Sequence, residues 1–356
     1  MMAYCSGSRL ETTSEDNLTL VYPIEAGPTR WTAENVVQST LPSRWPYGLD
    51  GLSTYGNVDY VELGRISGRE RFRLYSQTVR VPATSSLTLS WDEGVAQRAL
   101  ARHRGERNYC GIIWATDPSD SFRSGVLRRA TVRTLANSMD GFWCLSSAQV
   151  EACEELLGPG IPVSYLRFGV DDKFFGPEEY SDSAVLVSFG NDRDRDWETY
   201  WSAAEVIARS RRSARVVGQG RRRDQSGSPD RVLSLGRITH ADVRDWYRQS
   251  AVVGVATRPN LHASGMTVAL EGMATGRPVV ITRTPGIEDY VVDGVTGRLV
   301  DPGDHVAFAE AVIDYMNDPD LARCHGENGR RRVSEHFNTR SMCMRLAEIV
   351  GFGVVS

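Results

Sequence analysis

Lysine is all but missing from this chain: Lys173 is the sole one, so arginine supplies nearly all of the 41 basic residues among 356. With 45 acidic residues the net charge is −4 and both signs are interspersed, which excludes a general nucleic-acid binder that depends on basic excess. The skew toward arginine reads as GC-rich codon usage. Long apolar runs are also missing, and nothing approaches the roughly 20 residues of a membrane-spanning helix. The six cysteines, Cys5, Cys110, Cys144, Cys153, Cys324 and Cys343, form no C-x-x-C or other metal spacing. They read as reduced, mostly buried thiols. The start, Met1 to Asn17, is polar and acidic and lacks the basic-then-apolar order of a signal peptide, so a cytoplasmic protein is expected. Arg221-Arg222-Arg223 and Arg330-Arg331-Arg332 read as solvated faces, with peripheral attraction to a membrane surface as the alternative.

The length exceeds one ordinary core, and two domains are the natural division. Apolar runs at 18–23, 58–63, 87–91 and 111–116 predict strands, with a helical segment around Leu49–Tyr55 and longer ones over 124–137 and 147–157, each side of 141–145. Val163–Asp171 closes the first unit. The second runs strand 184–189, helix 197–209, strands 214–218 and 232–235, helix 240–249 and strand 252–256, with a last helical stretch over 339–349. Strands alternating with helices predict parallel sheets covered on both faces.

The most informative stretch is 262–280, His262-Ala263-Ser264-Gly265-Met266-Thr267-Val268-Ala269-Leu270-Glu271, continuing to Arg277-Pro278-Val279-Val280. Gly265 follows a polar turn and opens a helix, so backbone can approach a ligand and the helix end, with its free N–H groups, suits a diphosphate. Capping by Ser264 or Thr267 is the alternative use of that end. Glu271 lies inside the helix among small and apolar residues, where an unpaired carboxylate is costly. Its partner is either a ligand or a nearby arginine such as Arg277 or Arg283.

The wording L-E-x-M-A-x-G-x-P-V-V followed by D-G-x-T-G-x-L-V-x-P-G-D at 293–304 resembles the C-terminal domain of family 4 glycosyltransferases. The resemblance is strong over 183–340, taking in Gly236-Arg237-Ile238 and Trp246-Tyr247, and weak before about 140. It implies an α/β chain of GT-B architecture, two Rossmann-like parallel-sheet domains facing a cleft. The first would cover 1–172, with the segment 338–356 packing back on it; the second, over 173–337, would bind the nucleotide-sugar. It further implies a retaining enzyme that moves a sugar from a nucleoside diphosphate to a hydroxyl of a small-molecule, polysaccharide or lipid-linked acceptor, with no other cofactor.

By that resemblance Glu271 holds the ribose hydroxyl pair, and the backbone of Gly265, Met266 and Thr267 serves the diphosphate, with Ile238 also on the donor side. Countercharge falls to Arg193 and Arg195, although Asn191 stands where the family has arginine and a surface Asp/Arg lace is the competing reading. Ala263 stands where the family has a sugar-binding glutamate, and His262 beside it is either a sugar or phosphate contact or a turn residue. Asp117, at a strand's C-terminal edge where relatives often present a histidine, is the expected acceptor-orienting or catalytic carboxylate. Asp92 and Glu93 share that logic, against N-capping by Asp92. The family's glycine pair after the first strand is missing, with Gly27-Pro28 and Trp45-Pro46-Tyr47-Gly48 as the nearest substitutes. No metal ion is expected, since Asp192-Arg193-Asp194 carries an arginine between its carboxylates. Rival readings are a pseudo-glycosyltransferase or sugar-nucleotide epimerase in the same cleft, or a non-catalytic partner subunit.

Overall fold

The described residues form twelve strands, most of them β-branched or aliphatic runs, and every ladder between them is parallel. The computed structural model describes residues 17–33, 41–76, 81–117, 122–180, 183–190, 192–220 and 230–353. The terminal segment 1–16, Asn191 and the cluster Arg221-Arg222-Arg223 lie outside them.

The first sheet contains β1 (Asn17–Pro23), β2 (Asn57–Leu63), β3 (Ala83–Ser90), β4 (Arg104–Gly111), β5 (Gly141–Cys144) and β6 (Val163–Tyr165), in the order β2-β1-β3-β4-β5-β6. The second contains β7 (Val185–Ser188), β8 (Arg215–Gly218), β9 (Val232–Ser234), β10 (Val252–Val255), β11 (Val279–Thr282) and β12 (Gly297–Val300), ordered β12-β11-β10-β7-β8-β9. Its central strands bury every residue of β10 and β11, as a parallel sheet sandwiched by helices requires. Strand order reverses between β1 and β3 in one sheet and between β7 and β10 in the other. Crevices at the carboxyl ends of strands open at such switch points, and both cavities described below are lined from there.

The expected fourth strand at 111–116 is displaced: β4 spans Arg104–Gly111, and the apolar Ile112–Ala115 lies beyond its carboxyl end. A buried carboxylate explains why that segment leaves the sheet, since Glu93 Oε1 accepts the N–H groups of Ile113, Trp114 and Ala115 at 3.0, 2.9 and 2.8 Å. The segment near Leu49 is a 3-10 helix, Pro46–Thr54, broken at Tyr47 and Gly48 by left-handed backbone. The C-terminal helix Thr339–Val350 packs on it: the Cys343 thiol donates to Gly48 O at 3.4 Å, and Arg107 Nη1 reaches Val350 O at 3.1 Å. Val170 and Asn338 form an isolated parallel bridge where the chain passes between the two sheets.

Candidate functional site

Helix Met266–Ala274 begins at Gly265, which holds φ 85° and caps the helix without any side-chain bond. Ser264, one of the two alternative caps, is used elsewhere, its hydroxyl donating to Asp192 Oδ2 at 2.9 Å. No other residue fits at 265: besides the positive φ, a Cβ there would stand 2.4 Å from Val255 Cγ1 and 3.1 Å from Arg195 Nη1.

Arg195 is 4% exposed, and its Nη2 donates to Phe189 O, while Nη1 has no hydrogen-bond partner. Burial lowers its pKa, and the negative charge of Asp192 and Glu271 pulls the other way. A buried, half-unpaired guanidinium at an uncapped helix start is costly unless an anion completes it.

Glu271 is half-buried one and a half turns into the helix, with Tyr247 donating to Oε2 at 3.0 Å. Neither arginine considered from sequence is its partner. Arg277 bonds the carbonyls of Tyr247, Glu179 and Arg248, and Arg283 bonds Glu288 and Asp293. Enclosure raises the Glu271 pKa to about 7, against the lowering effects of the Tyr247 hydroxyl and Arg195. A cavity of about 620 Å³ is lined by Glu271, Arg195, Asp192, Gly265, Thr267 and Ile238 among others. Met266 is buried beneath it and does not line it. A second cavity of about 440 Å³ lies against the first sheet's β1–β3 switch point, and Arg237, His240, Thr267 and Glu271 line both.

Asp117, Arg193 and His262 meet in one interdomain cluster. Asp117 is 4% exposed; its Oδ2 accepts from His262 Nδ1 at 2.6 Å and Arg193 Nη2 at 2.7 Å, and its Oδ1 accepts Leu261 N–H at 2.9 Å. On its other side His262 Nε2 lies 3.4 Å from Asp192 Oδ2 and 3.7 Å from Asp194 Oδ2. Burial by itself lowers the His262 pKa, but hydrogen bonds to Asp117 and Asp192 outweigh it and raise it to about 9. Burial likewise pushes Asp117 up, and the bond to His262 and nearby charge bring it net below the usual carboxylate value. The Trp114 ring lies 4.6 Å from the His262 ring, with the Arg193 guanidinium 4.6 Å over it.

These contacts tie Asp117 to the second domain, and it lines neither cavity. Arg193 is half exposed and salt-bridged to Asp117 and Asp194, which is the Asp/Arg lace. Asp117, Asp194 and His262 also bring metal-ligand atoms within 4.8 Å of one another. Positive charge at that point already comes from Arg193 and from protonated His262. Asp92 caps helix Glu93–Arg102 through Gly94 and Val95 N–H, and Glu93 is occupied by its three amides. Sequence reasoning missed Tyr247 as the partner of Glu271, and Asp192, His240 and Trp31 as wall residues. Trp246-Tyr247 in the recognised wording was the available signal; for Asp192, His240 and Trp31 nothing local marks the role.

Residues 185–318 match the family model for glycosyl transferases group 1. The lipopolysaccharide core biosynthesis mannosyltransferase LpcC of Rhizobium leguminosarum bv. viciae is 35% identical over 250 residues, covering 61% of this chain and 66% of that protein's own length. Among solved structures, sucrose-phosphate synthase from Thermosynechococcus elongatus superposes with a TM-score of 0.70 at 17% identity, covering 94% of this chain and 98% of that one. Anabaena HepE, solved in complex with UDP and glucose, gives 0.70 at 15% identity, covering 95% and 100%. The second domain is a group 1 glycosyl transferase domain, and the two sheets together make the GT-B fold.

Proposed function

We propose that this chain is a retaining glycosyltransferase that moves a hexose-type sugar from a nucleoside diphosphate to a hydroxyl acceptor without a divalent ion. The observation that carries the reading is the unpartnered Nη1 of buried Arg195 beside Gly265, at the uncapped start of helix Met266–Ala274. A departing diphosphate is the anion such an arrangement serves, with countercharge fixed in advance of the reaction. Glu271 holds the ribose diol, and Tyr247 fixes the carboxylate's orientation. Asp117 acts as a positioning residue: through Leu261 and His262 it holds the turn that leads into Gly265.

Similarity to a protein named a mannosyltransferase and to one solved with UDP and glucose supports a hexose donor. No helix among the described residues is long and apolar enough to cross a membrane. The family wording supports retention.

Thermal shift with UDP-, GDP- and dTDP-sugars tests the reading first, because a preferred donor stabilises the chain by mass action. Incubation of that donor with and without EDTA, with product anomers read by NMR, tests metal independence and retention. An absence of nucleotide binding, or nucleotide binding with no donor cleavage under any condition, overturns the assignment.

A further inference from the structure

Among the described residues, two that are not glycine hold a positive φ: Ala263 beside the donor cavity, and Tyr47 in the first domain. Tyr47 stands at φ 62° and ψ 7°, followed by Gly48 at φ 69°. That backbone is unfavourable for a bulky side chain and persists only where surroundings impose it. Here they do. The Tyr47 ring stacks on Trp91 with centroids 4.5 Å apart and planes 13° apart, and meets the edge of Phe168 at 6.4 Å. Behind the turn, a Cβ on Gly48 would lie 2.2 Å from Thr339 Cγ2, so the C-terminal helix fixes the turn from outside. The strained turn places Tyr47, 44% exposed as a residue, on the wall of the 440 Å³ cavity, with one ring face covered by Trp91.

We propose that this cavity is the acceptor subsite and that Tyr47 is its platform, selecting a pyranose ring as the acceptor. The inference rests on the glycosyltransferase reading above. Continuity carries the first half: Arg237, His240, Thr267 and Glu271 border both cavities, so a hydroxyl held in the smaller one meets the donor's sugar at their junction. Lining chemistry carries the second. A pyranose has an apolar C–H face that lies flat on an aromatic ring and a rim of hydroxyls that needs charged or polar partners. The wall offers Tyr47, Trp31 and Phe168 for the face, and Glu25, Arg30 and Asp171 for the rim. An isoprenoid or acyl chain offers no polar groups to the Glu25, Arg30 and Asp171 side chains on that wall. The volume suits a mono- or disaccharide.

The test uses the full chain with the nucleotide that stabilises it, and saturation-transfer NMR with methyl α-D-mannopyranoside, methyl α-D-glucopyranoside and methyl β-D-galactopyranoside, with farnesyl phosphate as the lipid comparator. At least one pyranoside should receive saturation on its ring C–H protons, and Tyr47→Phe should preserve the effect. Tyr47→Gly suits the left-handed backbone and so keeps the fold, but should weaken that binding about two- to tenfold while leaving nucleotide affinity unchanged. Three results overturn the proposal: no pyranoside contact in a sample that binds nucleotide, undiminished contact in Tyr47→Gly, or displacement of the pyranoside by farnesyl phosphate. Failure to bind any nucleotide instead overturns the transferase reading, and this proposal with it.

Discussion

The Asp117 carboxylate and the His262 imidazole lie 2.6 Å apart, one after β4 of the first sheet and the other after β10 of the second, 145 residues apart in the chain. The pair ties the two domains together directly behind the turn that opens helix Met266–Ala274. Because Asp117 also holds Leu261 N–H, the first domain fixes the backbone of the turn that leads to Gly265.

Asp117→Asn should therefore weaken nucleotide binding and transfer together. The amide loses the charge that holds His262 and Arg193, and leaving such groups imperfectly paired costs on the order of 1–3 kcal/mol. Calorimetric titration with UDP or GDP on the variant checks this. Full nucleotide affinity with transfer abolished would return Asp117 to the acceptor side.

A second consequence is a pH window. His262 has a folded pKa of about 9 against 6.5 for the free side chain, so its contribution to stability is complete below 6.5 and is lost as pH rises through 9. Thermal melts of the wild type should fall over that range, with the slope reduced in Asp117→Asn. NMR titration of the His262 ring should give an upward-shifted pKa in the wild type and a lower one in the variant; an unshifted wild-type pKa would mean that the clasp is uncharged.

The helix that opens at Gly265 was legible because its signals are local. Gly265, the apolar run after it and Glu271 lie within one helix, where the conformation of Gly265 and the isolation of a carboxylate can both be read from neighbours. The clasp was not legible, since Asp117, Arg193 and His262 lie on separate loops that only the folded sheets bring together. β4 was misplaced because Arg104–Gly111 is polar in composition although central in its sheet, while the more apolar Ile112–Ala115 is held outside it by Glu93. Sequence alone points Glu271 to a ligand partner, with an arginine as the alternative; its partner within the protein is a neutral tyrosine, Tyr247, from the neighbouring helix His240–Gln249.

Glu271→Gln should lower turnover efficiency about ten- to a hundredfold, since hydrogen bonds to a charged acceptor are worth roughly 1.5–3 kcal/mol. The raised pKa of about 7 adds a sign: folded protein holds this proton above pH 4.5 where unfolded chain has lost it, so wild-type stability falls as pH rises from 4.5 through 7. The variant should melt higher than wild type at pH 8, with the gap closing toward pH 5. Wild-type kinetics in the folded variant would remove Glu271 from the donor site.

Arg193 and Arg195, paired in the sequence reading, should separate on mutation. Arg193 is half exposed in a salt-bridge lace, so Arg193→Ala should change turnover only a few-fold, in keeping with the roughly 0–1 kcal/mol of such pairs. Arg195→Met removes a buried guanidinium whose Nη1 is unpartnered in the free protein, so apo stability should hold or rise. Turnover should nevertheless fall about 100- to 1,000-fold, the usual loss when a preorganised donor to developing negative charge is deleted. The decisive comparison is melting temperature with and without nucleoside diphosphate. Wild type should gain markedly from the ligand and Arg195→Met should gain little. Equal ligand-induced gains in the two proteins would show that the diphosphate is held elsewhere and that Arg195 serves only the fold.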